Sequence, residues 1–206
     1  MAAKNSNRQA AKKADFMNEK SLYTYRLYFT GMITIAIWAL LIWTHYNGGV
    51  PSHHLLHRKE LPAISNWWSG LLIPLLSWFL LYRVQKRIFQ KKYEKSQVTR
   101  LFRIVKIGFT VALFYGALIA VLFTYNVASI PSYLLLSLLL IAFFYPIYLA
   151  ECILGFVLGM TVTFGAFLPT IVAFVFSLIG FLIYQFIRPA IAYIMLKIFH
   201  KASLNK

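Results

Sequence analysis

Between Val50 and Trp68 the chain gathers more chemically capable side chains than anywhere else. The run His53-His54-Leu55-Leu56-His57-Arg58-Lys59-Glu60 follows Pro51-Ser52, which reads as a helix start with Ser52 as N-cap, and it stops at Pro62. On a helix, His53, His57 and Glu60 fall at i, i+4 and i+7, on one face. Two imidazoles one turn apart, completed by a carboxylate, are a candidate ligand set for zinc or another divalent metal, with His54 beside them and His45 near the end of the preceding apolar run. Neutral imidazole also titrates close to neutral pH, so the same cluster is a candidate site of proton transfer. Arg58 and Lys59 oppose cation binding, and histidines also suit an interfacial loop with no chemistry at all.

The second candidate is Glu151. From Ile130 to Ile187 the chain is apolar apart from this one charge. An ionisable group at membrane depth is a functional candidate by default. Arg188 ends the same apolar stretch, and an inward-running fourth and sixth span would bring Glu151 and Arg188 to a similar depth as an intramembrane ion pair. The third feature is close packing. Gly108, Ala112, Gly116 and Ala120 recur every four residues, as do Gly155, Gly159 and Thr163. Small residues at that spacing let helix backbones approach, within one bundle or across a dimer seam.

These residues need elements to carry them, and composition says which. Of 206 residues, 60% are apolar or aromatic and only 13% are charged. A soluble domain is nearer a quarter charged. A bilayer takes up the surplus apolar surface, at about 20 residues per spanning helix. The expected fold is all-α: a polytopic transmembrane helical bundle of about six spanning helices, with both termini cytoplasmic. The spans are placed at about 27–46, 66–82, 107–125, 132–150, 152–170 and 171–188, so that 27–188 forms the bundle. Asn47-Gly48-Gly49 closes the first span, and the outer histidine-rich loop covers 47–65. Trp67 and Trp68, like Tyr23, Tyr25 and Tyr28, mark interfacial aromatic belts.

Charge fixes the orientation. There are 21 Lys and Arg against 5 Asp and Glu. The basic residues crowd into a tail at 1–26, expected to be only partly ordered, a helical hairpin at 83–106 meeting near Ser96, and the end of the chain at 189–206. Basic clusters flanking apolar segments mark cytoplasmic ends. Arg83, Lys86, Arg87, Lys91, Lys92, Arg100, Arg103 and Lys106 are the expected contacts for anionic lipid headgroups, at about 1 kcal/mol each near the surface. The same distribution argues against nucleic acid, which would require a basic face on a folded reader. The cytoplasmic (inner) membrane of a bacterium is the expected location. The expected partners are membrane lipids, a second copy of the chain or another membrane protein.

Several chemistries are disfavoured. Cys152 is the single cysteine, so an intrachain disulfide is impossible. Asp15 is the single aspartate, which argues against an Asp-rich magnesium site in the membrane. One outer histidine cluster is not the pattern of the membrane di-iron oxygenases, and no paired intramembrane histidines offer themselves to haem. Nucleophile-elbow, phosphate-loop and H-E-x-x-H patterns are absent. Three readings compete. One is a small non-enzymatic transporter-like, accessory or assembly component. Another is a membrane enzyme acting on a lipid or lipid-linked substrate at the outer loop, with Trp67 and Trp68 at its mouth. The third is an ion channel or carrier using Glu151 and Arg188.

Overall fold

The computed structural model describes residues 2–49, 52–54, 63–89, 95–125, 127 and 129–204; for 2–20, 52–54, 63–64, 95–96 and 198–204 it describes the backbone alone. Apart from a pair of three-residue strands, the described elements are helices. Four helical stretches are long and apolar enough to cross a membrane: Ser21–Tyr46, Asn66–Phe89, Gln97–Thr124 and Phe167–Lys197. Two shorter apolar helices, Ile130–Phe144 and Ala150–Phe164, lie between the third and fourth. The chain divides into two compact units, Met1–Ile107 and Gly108–Lys206.

In the first unit, helix α1 runs from Ala2 to Tyr46. The basic tail, expected to be only partly ordered, is therefore helical from Ala2. Its Ala, Lys, Gln, Arg and Met residues are strong helix formers, and neither Gly nor Pro occurs before Gly31, so the apolar helix extends backwards through them. Gly48 and Gly49, at φ 112° and 89°, end it with a backbone turn that other residues rarely adopt. Strands β1 (Ser52–His54) and β2 (Ala63–Ser65) pair antiparallel, His53 opposite Ile64. A 3-10 turn at Asn66–Trp68, with the Ser65 hydroxyl accepting from the Trp67 amide, leads into α2 (Ser69–Phe89).

Helix α2 buries Gly70, Ile73, Ser77, Leu80, Val84 and Ile88, a stripe at steps of three and four. That stripe lies against Arg26, Ile37 and Leu41 of α1. A Cβ at Gly70 would stand 3.1 Å from Leu41 Cδ1 and 3.2 Å from Trp38, so glycine lets the helices close at their outer end. Trp38 and Trp67 meet there at 6.2 Å, while Arg26 and Trp78 meet at the other end, which makes the pair antiparallel.

Helix α3 (Lys95–Thr124) starts in the first unit and continues into the second. The second unit adds α4 (Ile130–Phe144), α5 (Ala150–Phe164), α6 (Phe167–Leu182), a π-helical turn (Ile183–Ile187) and α7 (Arg188–Leu204). The break points differ from the 150/152 and 170/171 boundaries expected from hydropathy, and backbone chemistry explains both. Pro146 drives the preceding Tyr145 to an extended conformation (φ −126°, ψ 138°), ending α4 early. Gly165, at φ 69°, ends α5 after Phe164. At the other end of the unit, Pro189 has no amide hydrogen to donate, and the helix widens into the π turn just before it.

Helix α5 is the enclosed element. Glu151, Cys152, Leu154, Gly155, Phe156, Val157, Met160 and Thr161 are buried. The two small-residue ladders meet each other on one side of it. A Cβ at Gly155 would overlap the Phe109 carbonyl, one at Gly159 the Leu113 carbonyl, and one at Gly116 the Phe156 carbonyl. Ala112 touches the same seam and Ala120 is buried further along α3, while Thr163 is half-buried. Tyr115 ties α3 to α4 by donating to the Leu134 carbonyl at 2.7 Å.

Candidate functional site

At the loop end of the first unit, the expected histidine face is not helical where the backbone is described. His53 and His54 lie on β1, an extended strand, so the i, i+4 relation of His53 to His57 does not place them on one helical face. The reason is local: Gly48 and Gly49 turn the chain back, and pairing with Ala63–Ser65 satisfies the backbone groups that a helix would have used. His57 and Glu60 lie outside the described residues, as do the side chains of His53 and His54. Among the described residues no three His, Cys, Asp or Glu side chains gather as a metal would need. The described part of this end is aromatic. His45 stands 5.9 Å from the Trp67 ring and 5.4 Å from that of Tyr46.

The basic residues occupy the opposite helix ends. Arg83 and Lys86 are exposed and Arg87 half-buried on the last turns of α2; Arg100, Arg103 and Lys106 are exposed on the first turns of α3. Lys91 and Lys92 lie outside the described residues.

Glu151 is the buried ionisable group of the second unit, at 2% exposure. It occupies the first turn of α5, where the helix dipole favours negative charge. Five residues, 145–149, separate α5 from α4. The Ile147 amide donates to the Tyr145 carbonyl at 2.8 Å, and the Leu149 amide to the Pro146 carbonyl at 3.2 Å. Gly108 of α3 makes the room beside it. A Cβ there would come within 2.9 Å of the Tyr145 hydroxyl, 3.4 Å of Glu151 Cγ and 3.5 Å of the Cys152 sulfur. Gly180 does the same on α6, where a Cβ would press within 2.8 Å of Ile147.

A line of aromatic contacts leads away from this break. The Tyr148 ring lies 5.3 Å from Phe181 and 6.1 Å from Tyr184. Tyr184 belongs to the π turn, a feature frequent at functional sites. Arg188 is exposed and holds its guanidinium 4.8 Å from the Tyr184 ring centre. Glu151 is enclosed and Arg188 is exposed beside Tyr184.

Tyr145, Tyr148 and Tyr184 were not singled out from the sequence. The available signal was Tyr-Pro-Ile-Tyr ending three residues before an isolated Glu in an otherwise apolar run. No family model matches the chain, and neither a curated protein nor a solved structure matches it.

Proposed function

We propose that the chain is a non-enzymatic carrier-type component of a membrane, in which Glu151 takes up a proton or a small cation. The observation that carries this reading is a carboxylate 2% exposed, at the start of a helix that is itself enclosed. Membrane proteins keep such groups rarely, and chiefly on substrate and ion pathways. The short apolar helices support it further. At 15 residues each, α4 and α5 are about 22 Å long, against about 30 Å of hydrocarbon. Breaks between short helices at membrane depth are how many carriers expose backbone and side-chain ligands to an ion. The Tyr145 hydroxyl and the N-terminal dipole of α5 would steady the charged carboxylate, and the Tyr148–Tyr184–Arg188 cluster would form its route to the surface.

We read the chain as six crossings with both termini cytoplasmic, in the inner membrane of a bacterium. On this reading α4 and α5 cross in turn and return the chain to the side on which α3 ends. An even number of crossings gives both termini the same side, and the basic helix ends support the cytoplasmic one.

The test is flux through proteoliposomes holding the full chain, with a proton-sensitive dye inside and alkali cations supplied outside. Wild type carries a proton or cation current, and Glu151→Gln, which keeps shape and loses charge, abolishes it while the protein still elutes as a single species. Equal flux in both proteins removes the proposal. A second reading has its own support: only 11% of the apolar window of Ser21–Tyr46 is buried inside the protein. A face that bare suits an accessory subunit seated against another membrane protein, and co-purification of a stoichiometric partner without intrinsic flux would favour it.

A further inference from the structure

The seam between α1 and α2 holds a cation that the carrier reading does not use. Arg26 is 9% exposed. Its guanidinium carbon lies 3.8 Å from the ring centre of Trp78, 5.2 Å from that of Tyr23 and 5.4 Å from that of Tyr82. Its Nη1 donates to Gln85 Oε1 at 3.0 Å. Its Nε is buried with no hydrogen-bond partner among the described residues. Two hydroxyls in the same seam share that condition, those of Thr30 and Ser77. Thr30 is one turn beyond Arg26, on the same face of α1. Ser77 adjoins Trp78, and the antiparallel register set by Arg26 against Trp78 and Leu41 against Gly70 places it opposite the Thr30 turn.

Orphaned buried donors are costly, and three of them in one short stretch point to a missing acceptor. The charge says which kind. The described side chains of this unit include neither Asp nor Glu, so the protein supplies Arg26 with an amide oxygen and three aromatic faces but no described counter-charge. The rim of the cage is open, since Tyr23 and Tyr82 are 48% and 47% exposed. That rim lies among exposed apolar residues such as Leu27 and Phe79, which face lipid in a membrane. Exposed Arg83 and Lys86 stand just beyond it on α2 and would repel a choline or ethanolamine cation.

We propose that Arg26, Thr30 and Ser77 form a binding site for the phosphate of an anionic phospholipid headgroup. The guanidinium supplies the charge and its forked donors, which suit a tetrahedral oxyanion. The two hydroxyls donate to further phosphate oxygens. The site stands independently of the reading given to Glu151.

The test is native mass spectrometry of the full chain released from nanodiscs of phosphatidylcholine doped with phosphatidylglycerol. Wild type is expected to retain phosphatidylglycerol in preference to phosphatidylcholine. Thr30→Val and Ser77→Ala should each weaken retention about fivefold, the worth of one hydrogen bond. Arg26→Gln should abolish it, and Arg26→Lys should restore only part, because an ammonium lacks the fork. The hydroxyl variants keep the test decisive if Arg26→Gln fails to fold. Unchanged retention in both, with raised thermal stability, would overturn the proposal, since a dry seam gains when an orphaned hydroxyl is replaced by a shape-matched apolar group. A parallel titration with inorganic phosphate separates the sources. A thermal shift with phosphate that vanishes in Thr30→Val and Ser77→Ala, while lipid retention stays at the wild-type level, would assign the site to a soluble anion and overturn the lipid proposal.

Discussion

The two units solve the same problem, holding apolar helices together, by different means. In the first, α1 and α2 meet through side chains at steps of three and four, and the seam carries a charge and two hydroxyls along with its Ile and Leu. In the second, α3 and α5 meet backbone to backbone at Gly116, Gly155 and Gly159. In lipid there is little hydrophobic drive between helices, so association rests on close van der Waals packing and on polar contacts. One seam is built mainly on the first and is rigid because nothing in it can yield. The other spends part of its length on polar groups, which is where the lipid phosphate is proposed to bind.

The comparison breaks most sharply at Gly159. Gly159→Val drives two methyl groups into the Leu113 carbonyl, and we expect a loss of about 3 kcal/mol, seen as a collapse of thermal stability in detergent. If the variant unfolds at the wild-type temperature, the second seam is not the close-packed one described. Trp78→Leu removes the nearest face of the Arg26 cage and should cost about 2 kcal/mol. Its loss should exceed that of Phe79→Leu, an exposed neighbour on the same helix, and equal losses would mean that the cation contact contributes nothing. Gly70→Ala asks Leu41 and Trp38 to give by a few tenths of an ångström, for an expected cost of about 1 kcal/mol. That is well below the Gly159 effect, because side-chain tips yield where a carbonyl does not. The smallest effect belongs to Pro189→Ala. Restoring the amide hydrogen should convert the π turn to α-helix and raise hydrogen-exchange protection at Tyr184–Ile187, with stability changed by about 0.5 kcal/mol or less. An unaltered exchange pattern there would mean that something other than the proline holds the turn.

Much of the architecture was legible from residues alone, and the places where it was not have a common cause. Ser21–Tyr46, Asn66–Phe89 and Gln97–Thr124 cover the stretches where long apolar runs end in charge, tryptophan or a Gly pair. Between Ile130 and Ile187 the chain has no such punctuation, and hydropathy placed boundaries up to six residues from where Pro146 and Gly165 put them. Proline and glycine act on backbone angles, which a hydropathy scale does not register. The helical face expected for the outer histidines has a related history, since His53 and His54 lie on a strand. Their i, i+4 spacing presupposed a helix, and pairing with a strand ten residues on is invisible to a local pattern. Arg26 passed unnoticed because it reads as one more flanking base. Its burial depends on Trp78, Tyr82 and Gln85, more than fifty positions away.

What the sequence determined by itself is therefore the solvent and the class of element. A chain that is 60% apolar, with its charges confined to segment ends, is compelled into helices that satisfy their own backbones and leave apolar faces for lipid. What only the tertiary structure decided is which polar groups are enclosed. Arg26, Thr30 and Ser77 look unremarkable in a list of residues, and each becomes consequential because a neighbouring helix removes it from solvent. Burial is a property of pairs of surfaces, and a single strip of sequence carries only one of the two.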